Sequence, residues 1–247
     1  MDRSKDIKEI FMLSIKLEKI DLPFAMAEEI KNLRTSISFS GENIKTVAFT
    51  SCVPNEGKST VAIELTKSFA ELGKKTLYLD CDLRKSILKH KVVEGKIKKG
   101  LSHYLTGQCD LKEIIYKNSD DEGKYDFAII PSGPFSNSPT ELLSSAKFEN
   151  MLKELRDEYD IIILDTPPLG SVVDASIVGA MVDGTVLIIE AGGINYKLIQ
   201  KVKDKLVVAN ARVLGVVLNK VDKSKKSYSY YKYGKEYGYG YHYGYGE

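Results

Sequence analysis

Between residues 44 and 221 the chain alternates short β-rich runs with helical stretches. The runs are Thr46-Val-Ala-Phe-Thr-Ser51, Thr76-Leu-Tyr-Leu-Asp80, Tyr125-Asp-Phe-Ala-Ile-Ile130, Ile161-Ile-Ile-Leu164, Thr185-Val-Leu-Ile-Ile189 and Val213-Leu-Gly-Val-Val-Leu218. Most are apolar without alternation, so neither face of such a strand can be left to water. Strands buried on both faces and separated by helices form a mostly parallel central sheet with helices on both faces, an α/β fold. Ligands of such sheets bind beyond the carboxyl ends of the strands. The polar motifs of this chain fall at those ends.

At 247 residues and 43% hydrophobic, the chain suits one α/β domain. Two segments flank the core at 44–221. In residues 1–43, Ile7, Ile10, Phe11, Ser14 and Leu17 recur at helical spacing, and a second helix is expected through Ala25–Phe39 after Pro23. Residues 222–247 contain almost nothing aliphatic to build a core and are expected to be disordered. Nine of the chain's fifteen tyrosines fall in its last twenty residues: Tyr228, Tyr230, Tyr231, Tyr233, Tyr237, Tyr239, Tyr241, Tyr243 and Tyr245. With 36 basic and 34 acidic side chains, the charge balance gives no reason to expect a nucleic-acid partner. Cys52, Cys81 and Cys109 are too few and too irregular for a disulfide framework or a zinc site, and fit a reducing cytosol. The N-terminus carries no secretory signal, and no stretch approaches the roughly 18 apolar residues of a membrane span. A soluble protein able to dock on a membrane partner is expected.

The segment Thr50-Ser-Cys-Val-Pro-Asn-Glu-Gly-Lys-Ser-Thr60 leaves the first strand and opens a helix over Val61–Leu72. Its Gly57-Lys58-Ser59-Thr60 close matches the end of the phosphate-binding loop GxxxxGK[ST], with Cys52 where the first glycine would stand. Amides of Asn55, Glu56, Gly57 and the helix start would cradle the β-phosphate, Lys58 would neutralise the β/γ charge, and Ser59 would ligate Mg²⁺. Asp80 and Asp82, two apart at the next strand tip, can project from one side and hold Mg²⁺ or accept a proton. Four aliphatics run into Asp165, the form of a strand whose acid orients a Mg²⁺-bound water. Asn219 closes the last strand and serves either as an adenine contact or as a turn residue. Cys52 and Cys81 sit beside the expected phosphates, as redox-sensitive thiols or as plain small residues. His90, His103 and His242 form no motif.

Lys58 precedes Asp80 by 22 residues and Asp82 precedes Asp165 by 83, and this order resembles the bacterial protein-tyrosine kinases of capsule and exopolysaccharide assembly, a branch of the P-loop NTPases. Asp80-Cys-Asp82-Leu-Arg84 matches that family's DxDxR, and Asp165-Thr-Pro-Pro168 its DxxP. Ile130-Pro-Ser-Gly-Pro134, with Asn137, Pro139 and Glu141-Leu-Leu143, looks like another of its segments. The terminal tyrosine cluster is its most distinctive trait. The resemblance implies ATP and Mg²⁺ as cofactors and autophosphorylation of the tail. It implies Lys58 as the essential phosphate-binding lysine, Asp80 as base, and Asp82 and Asp165 supporting Mg²⁺. Glu28-x-x-Lys31-x-x-Arg34 resembles the family's ExxRxxR helix, which mediates ring-like self-association, with lysine at the first arginine; an ordinary charged helix face is the other reading. The resemblance further implies a cytoplasmic protein held at the inner membrane face by a transmembrane polysaccharide co-polymerase that activates it. A cognate tyrosine phosphatase and sugar-nucleotide enzymes as further substrates belong to the same expectation.

Two other readings compete. ATPases of the MinD and ParA type share the fold, but their KGGxGK[ST] loop has a lysine where this chain has Val53. An adaptor whose Tyr/Gly tail self-associates by stacking would leave the three phosphate-site motifs without a role.

Overall fold

The computed structural model describes residues 13–118 and 126–221. They form a nine-stranded sheet in the order β4-β1-β5-β6-β3-β7-β2-β8-β9. In chain order the strands are β1 (Leu13–Leu17), β2 (Thr46–Ser51), β3 (Thr76–Asp80), β4 (Val92–Glu94), β5 (Tyr116–Asn118), β6 (Phe127–Ile130), β7 (Ile161–Asp165), β8 (Gly184–Glu190) and β9 (Val213–Asn219). The six strands from β6 to β9 in the sheet order are parallel throughout. Beyond β6 the sheet becomes mixed: β5 runs antiparallel to β6, and β4 antiparallel to β1.

Alternation along the strands feeds two layers. Ile161 and Ile163 of β7 point into one core with Phe49 and Tyr78, and Ile162 and Leu164 into the other with Leu77 and Leu79. The first core is closed by α1 (Phe24–Ser38) and α2 (Lys58–Ala70), through Ile37, Leu65 and Phe69. The second is closed in part by α3 (Leu101–Leu105), α4 (Pro139–Leu143) and α5 (Ala146–Glu158), the last presenting Phe148, Met151, Leu152 and Leu155. Beyond it, α6 (Asp174–Met181) precedes β8. A smaller cluster under α7 (Tyr196–Val208) joins Val202 and Leu206 to Leu187, Leu169 and Cys52.

The helical spacing read over residues 7–17 gives way, where the chain is described, to a strand. Ser14 and Leu17 lie on β1, and Ile7, Ile10 and Phe11 lie outside the described residues. Leu13-Ser-Ile-Lys-Leu17 also alternates with period two, and pairing with β5 buries Ile15 and Leu17 on one face. Long-range pairing therefore overrides a local spacing that both geometries share. The helix expected at Ala25–Phe39 is α1. The tyrosine-rich 222–247, read as disordered, also lies outside the described residues. No helix among the described residues is long and apolar enough to cross a membrane.

Candidate functional site

The tips of β2, β3 and β7 meet at one cavity of about 450 Å³. Pro54–Thr60 line one wall, Asp82, Arg84, Lys85 and Ile87 a second, and Pro167, Pro168, Ser171 and Val172 a third. Its floor is the start of α2, whose N-cap Gly57 is left-handed at φ 86°. Glycine is needed there twice over: a Cβ would lie 2.1 Å from Asn219 Nδ2. Asn55, at φ 67°, makes the loop's other left-handed turn. The glycine missing at Cys52 thus reflects a loop that turns elsewhere.

Glu56 braces this loop from within. Only 1% exposed, its carboxylate accepts the Val53 amide at 2.8 Å and the Glu190 amide at 2.9 Å, tying the loop to the tip of β8. The Glu56 carbonyl accepts Asn219 Nδ2 at 2.8 Å. Asn219 thus stands beside the loop on β9. Thr50 Oγ1 donates to the Pro167 carbonyl at 2.9 Å, and the Leu169 amide to the Ser51 carbonyl at 2.8 Å, lacing the loop to the segment after β7. A Cβ on Gly170 would come within 2.0 Å of the Cys52 carbonyl, so that approach also requires glycine.

Lys58 is buried at the helix start, where Nζ pairs with Asp165 Oδ1 and reaches Ser59 Oγ at 3.2 Å. The other oxygen of Asp165 accepts the Tyr78 hydroxyl at 2.8 Å. Asp80 and Asp82, expected side by side, part company. Asp82 lines the cavity, its Oδ1 held by the Arg84 and Lys85 amides at 3.1 and 2.9 Å. Asp80 lies behind it, paired across the strands with Asp165, accepting the Ser86 hydroxyl and, on Oδ1, the Asp82 amide at 3.1 Å. Burial, and then the charge of Asp165, push the Asp80 carboxyl up to about 7. The thiols are less reactive than their position suggests. Burial and then Glu56 push Cys52 up to about 11, and burial raises Cys81 well above its usual value.

The described residues include no group of three or more His, Cys, Asp or Glu that could cage a metal. The oxygens offered are Ser59, Asp82 and Asp165, around a cradle of amides. That sparse set fits Mg²⁺, which keeps waters and completes its shell with nucleotide phosphates.

Motif reading passed over some of what shapes the cavity. Arg84 is held against it by Asp174, at the start of α6: Nε to Oδ2 at 2.7 Å and Nη2 to Oδ1 at 3.0 Å. Thr140 adds its hydroxyl to Asp174 Oδ1 at 2.9 Å. Arg84 was visible in the DxDxR pattern, whereas nothing near Asp174 in sequence marks it out. Away from the cavity, Glu28 and Lys31 pair at 2.7 Å on the outer side of α1, and Arg34 instead turns inward to the Ser68 carbonyl of α2 at 2.6 Å. The nine tail tyrosines lie outside the described residues.

Comparison with known proteins accords with this geometry. A family model described as an AAA domain matches residues 44–208. The tyrosine-protein kinase CpsD of Streptococcus agalactiae is 37% identical over 225 residues, covering 89% of this chain and 96% of that protein. The tyrosine-protein kinase YwqD of Bacillus subtilis is 35% identical over 208 residues, 83% of this chain and 86% of its own. Among solved structures, the kinase domain of the Escherichia coli tyrosine kinase ETK superposes with a TM-score of 0.73 at 31% identity, covering 89% of this chain and 80% of that one. The cell division ATPase MinD of Pyrococcus furiosus, at 24% identity and a TM-score of 0.60, shares the fold over 73% of this chain and 74% of its own.

Proposed function

The chain belongs to the bacterial tyrosine-protein kinases, and from that premise we propose that it uses ATP and Mg²⁺ to phosphorylate its own C-terminal tyrosines, Tyr228 to Tyr245. The observation that carries the reading is the convergence of Lys58, Ser59 and Asp82 on one cavity walled by the phosphate loop, with Asp165 paired to Lys58 behind it. Loop amides and the start of α2 hold the β-phosphate. Lys58 would leave Asp165 for the β/γ oxygens, and Ser59, Asp82 and Asp165 would hold the metal, partly through water. A magnesium ion bound there would supply charge neutralisation at the nucleotide phosphates. A tyrosine hydroxyl ordinarily loses its proton near pH 10, so a carboxylate that accepts it assists the transfer. Asp80 is assigned that role; an acid raised to about 7 supports it, because such a group is ionised yet still basic just above neutrality. Asn219, its Nδ2 spent on the loop, has Oδ1 left to accept from the adenine amino group.

The remaining organisation follows the family. Residues 1–43 would serve self-association into a ring through Glu28, Lys31 and Arg34, 44–221 catalysis, and 222–247 the acceptor tail. Within a ring, the tail of one chain would lie at high local concentration beside a neighbour's site. A transmembrane co-polymerase would bring the kinase to the inner membrane face and activate it. A phosphatase would reset the tail, and sugar-nucleotide enzymes are further substrates. The physiological output is control of capsular or extracellular polysaccharide synthesis and export.

The test is phosphotyrosine formation with Mg-ATP in the full chain, in Lys58→Met and in a chain ending at Lys226, with and without the cytoplasmic tail of a candidate activator. Signal in the full chain that is lost in both variants is expected. Undiminished signal in the shortened chain would refute the tail as acceptor. Lys58-dependent ATP hydrolysis with no phosphotyrosine under either condition would favour an ATPase of the MinD type.

A further inference from the structure

Tyr78 interrupts an otherwise apolar approach to the tip of β3, and its hydroxyl is aimed at the site from below. On the paired strands it stands opposite Ile163, so Asp165, two residues further along β7, is its diagonal neighbour on the same face. The ring is 1% exposed and packed with Phe49, Val61 and Ile163 in the core beneath α2. From that fixed position Tyr78 donates to Asp165 Oδ2 at 2.8 Å, while Oδ1 faces Lys58 and the phosphate loop.

We propose that Tyr78 is a positioning residue for magnesium-nucleotide binding: it pins one oxygen of Asp165 so that the other stays turned toward the phosphate loop. The inference rests on the reading of Ser59, Asp82 and Asp165 as the residues that hold magnesium. Its physical basis is the freedom of a carboxylate about its last torsion, which is broad and has no sharp rotamer wells. Without nucleotide, Asp165 is fixed from both sides, by Lys58 and by Tyr78. Once Lys58 turns to the phosphates, the hydrogen bond from Tyr78 is what remains of that pair. The anchor is a stiff one, because the ring is already ordered by core packing and little further entropy is lost in holding the carboxylate.

The experiment is titration of the full chain with a fluorescent ADP, in EDTA and in Mg²⁺, for the wild type, Tyr78→Phe, Asp165→Asn and the double variant. The readout is the ratio of the two dissociation constants, which needs no turnover. Tyr78→Phe should leave affinity in EDTA within about two-fold and lower the magnesium enhancement roughly ten-fold or more, as expected for a lost hydrogen bond to a charged group. In the Asp165→Asn background the same change should do nothing further to the ratio. Ile129→Val, which loosens the same core cluster from β6, on the side of Tyr78 away from Asp165, should keep the enhancement. An unchanged ratio in Tyr78→Phe overturns the proposal, as does an equal loss in Ile129→Val or an additive effect in the double variant. A wild type that gains no affinity from Mg²⁺ at all would instead remove the metal reading on which the proposal stands.

Discussion

Replacing Asp174 by asparagine isolates the least visible support of the cavity. Asp174 is fully buried, and its two oxygens accept three hydrogen bonds, two from the Arg84 guanidinium and one from Thr140. Asparagine keeps the shape but turns one acceptor into a donor that meets an Arg84 N–H. It also removes a negative charge from the first turn of α6, worth about 0.3–1 kcal/mol in a helix dipole. Hydrogen bonds to charged groups contribute about 1.5–3 kcal/mol each. The Arg84 side chain is 34% exposed, so once released it regains water and part of the loss is recovered. A net cost of about 3 kcal/mol follows, which for a domain of this size lowers Tm by about 6–12 °C. Thermal and urea unfolding, followed by circular dichroism, measure it. Because Arg84 forms part of the cavity wall, nucleotide affinity should weaken as well. A Tm within 2 °C of wild type, with unchanged nucleotide affinity, would refute the claim that the pair between Arg84 and the buried Asp174 holds the wall.

Three further perturbations follow from the same geometry. Gly57→Ala forces a Cβ against Asn219 Nδ2 at φ 86°, a backbone strain of about 1–3 kcal/mol, and should abolish measurable nucleotide binding by calorimetry while leaving the fold intact. Burial alone would raise Asp183, but hydrogen bonds from Arg156 and from Lys45 and Thr46 overcome it and leave the carboxyl lowered. A lowered folded value contributes stability above the unfolded value near 4 and loses it as pH falls through the folded one, so Asp183→Asn should destabilise at pH 7 by an amount that shrinks as pH falls below about 4 in urea unfolding. Asp80 carries the opposite sign: raised from 3.8 to about 7, it weakens the fold as pH rises through that window, by up to about 4 kcal/mol at 1.36 kcal/mol per unit. Asp80→Asn should therefore be the more stable form at pH 8, an advantage that shrinks toward pH 4, and the acid limb of kcat/KM, which reports the free enzyme, should lie near pH 7 in wild type.

The sequence alone determined the parallel core and the place of the polar motifs at its edge. Runs such as Ile161–Leu164 are apolar on both faces, and only a strand covered on both sides satisfies them, so β2, β3, β7, β8 and β9 lie within a residue or two of their apolar runs. Gly57-Lys58-Ser59 and Asp165 were legible for a related reason: the phosphate loop is a local turn between a strand and a helix, and its requirements are met by adjacent residues. β4 and β5, at three residues each, are too short for a periodic signal, β1 carries a spacing that helix and strand share, and all three exist because each finds a partner strand. Tertiary structure also decided what surrounds the motifs. Two carboxylates two residues apart were expected to share a face, yet the turn after β3 sends Asp82 to the cavity and leaves Asp80 buried behind it. The bonds from Tyr78 to Asp165 and from Arg84 to Asp174 join residues 87 and 90 positions apart. No local pattern encodes such pairs, because a hydrogen bond between distant residues depends on strand order and register, and these are settled only when the whole sheet packs.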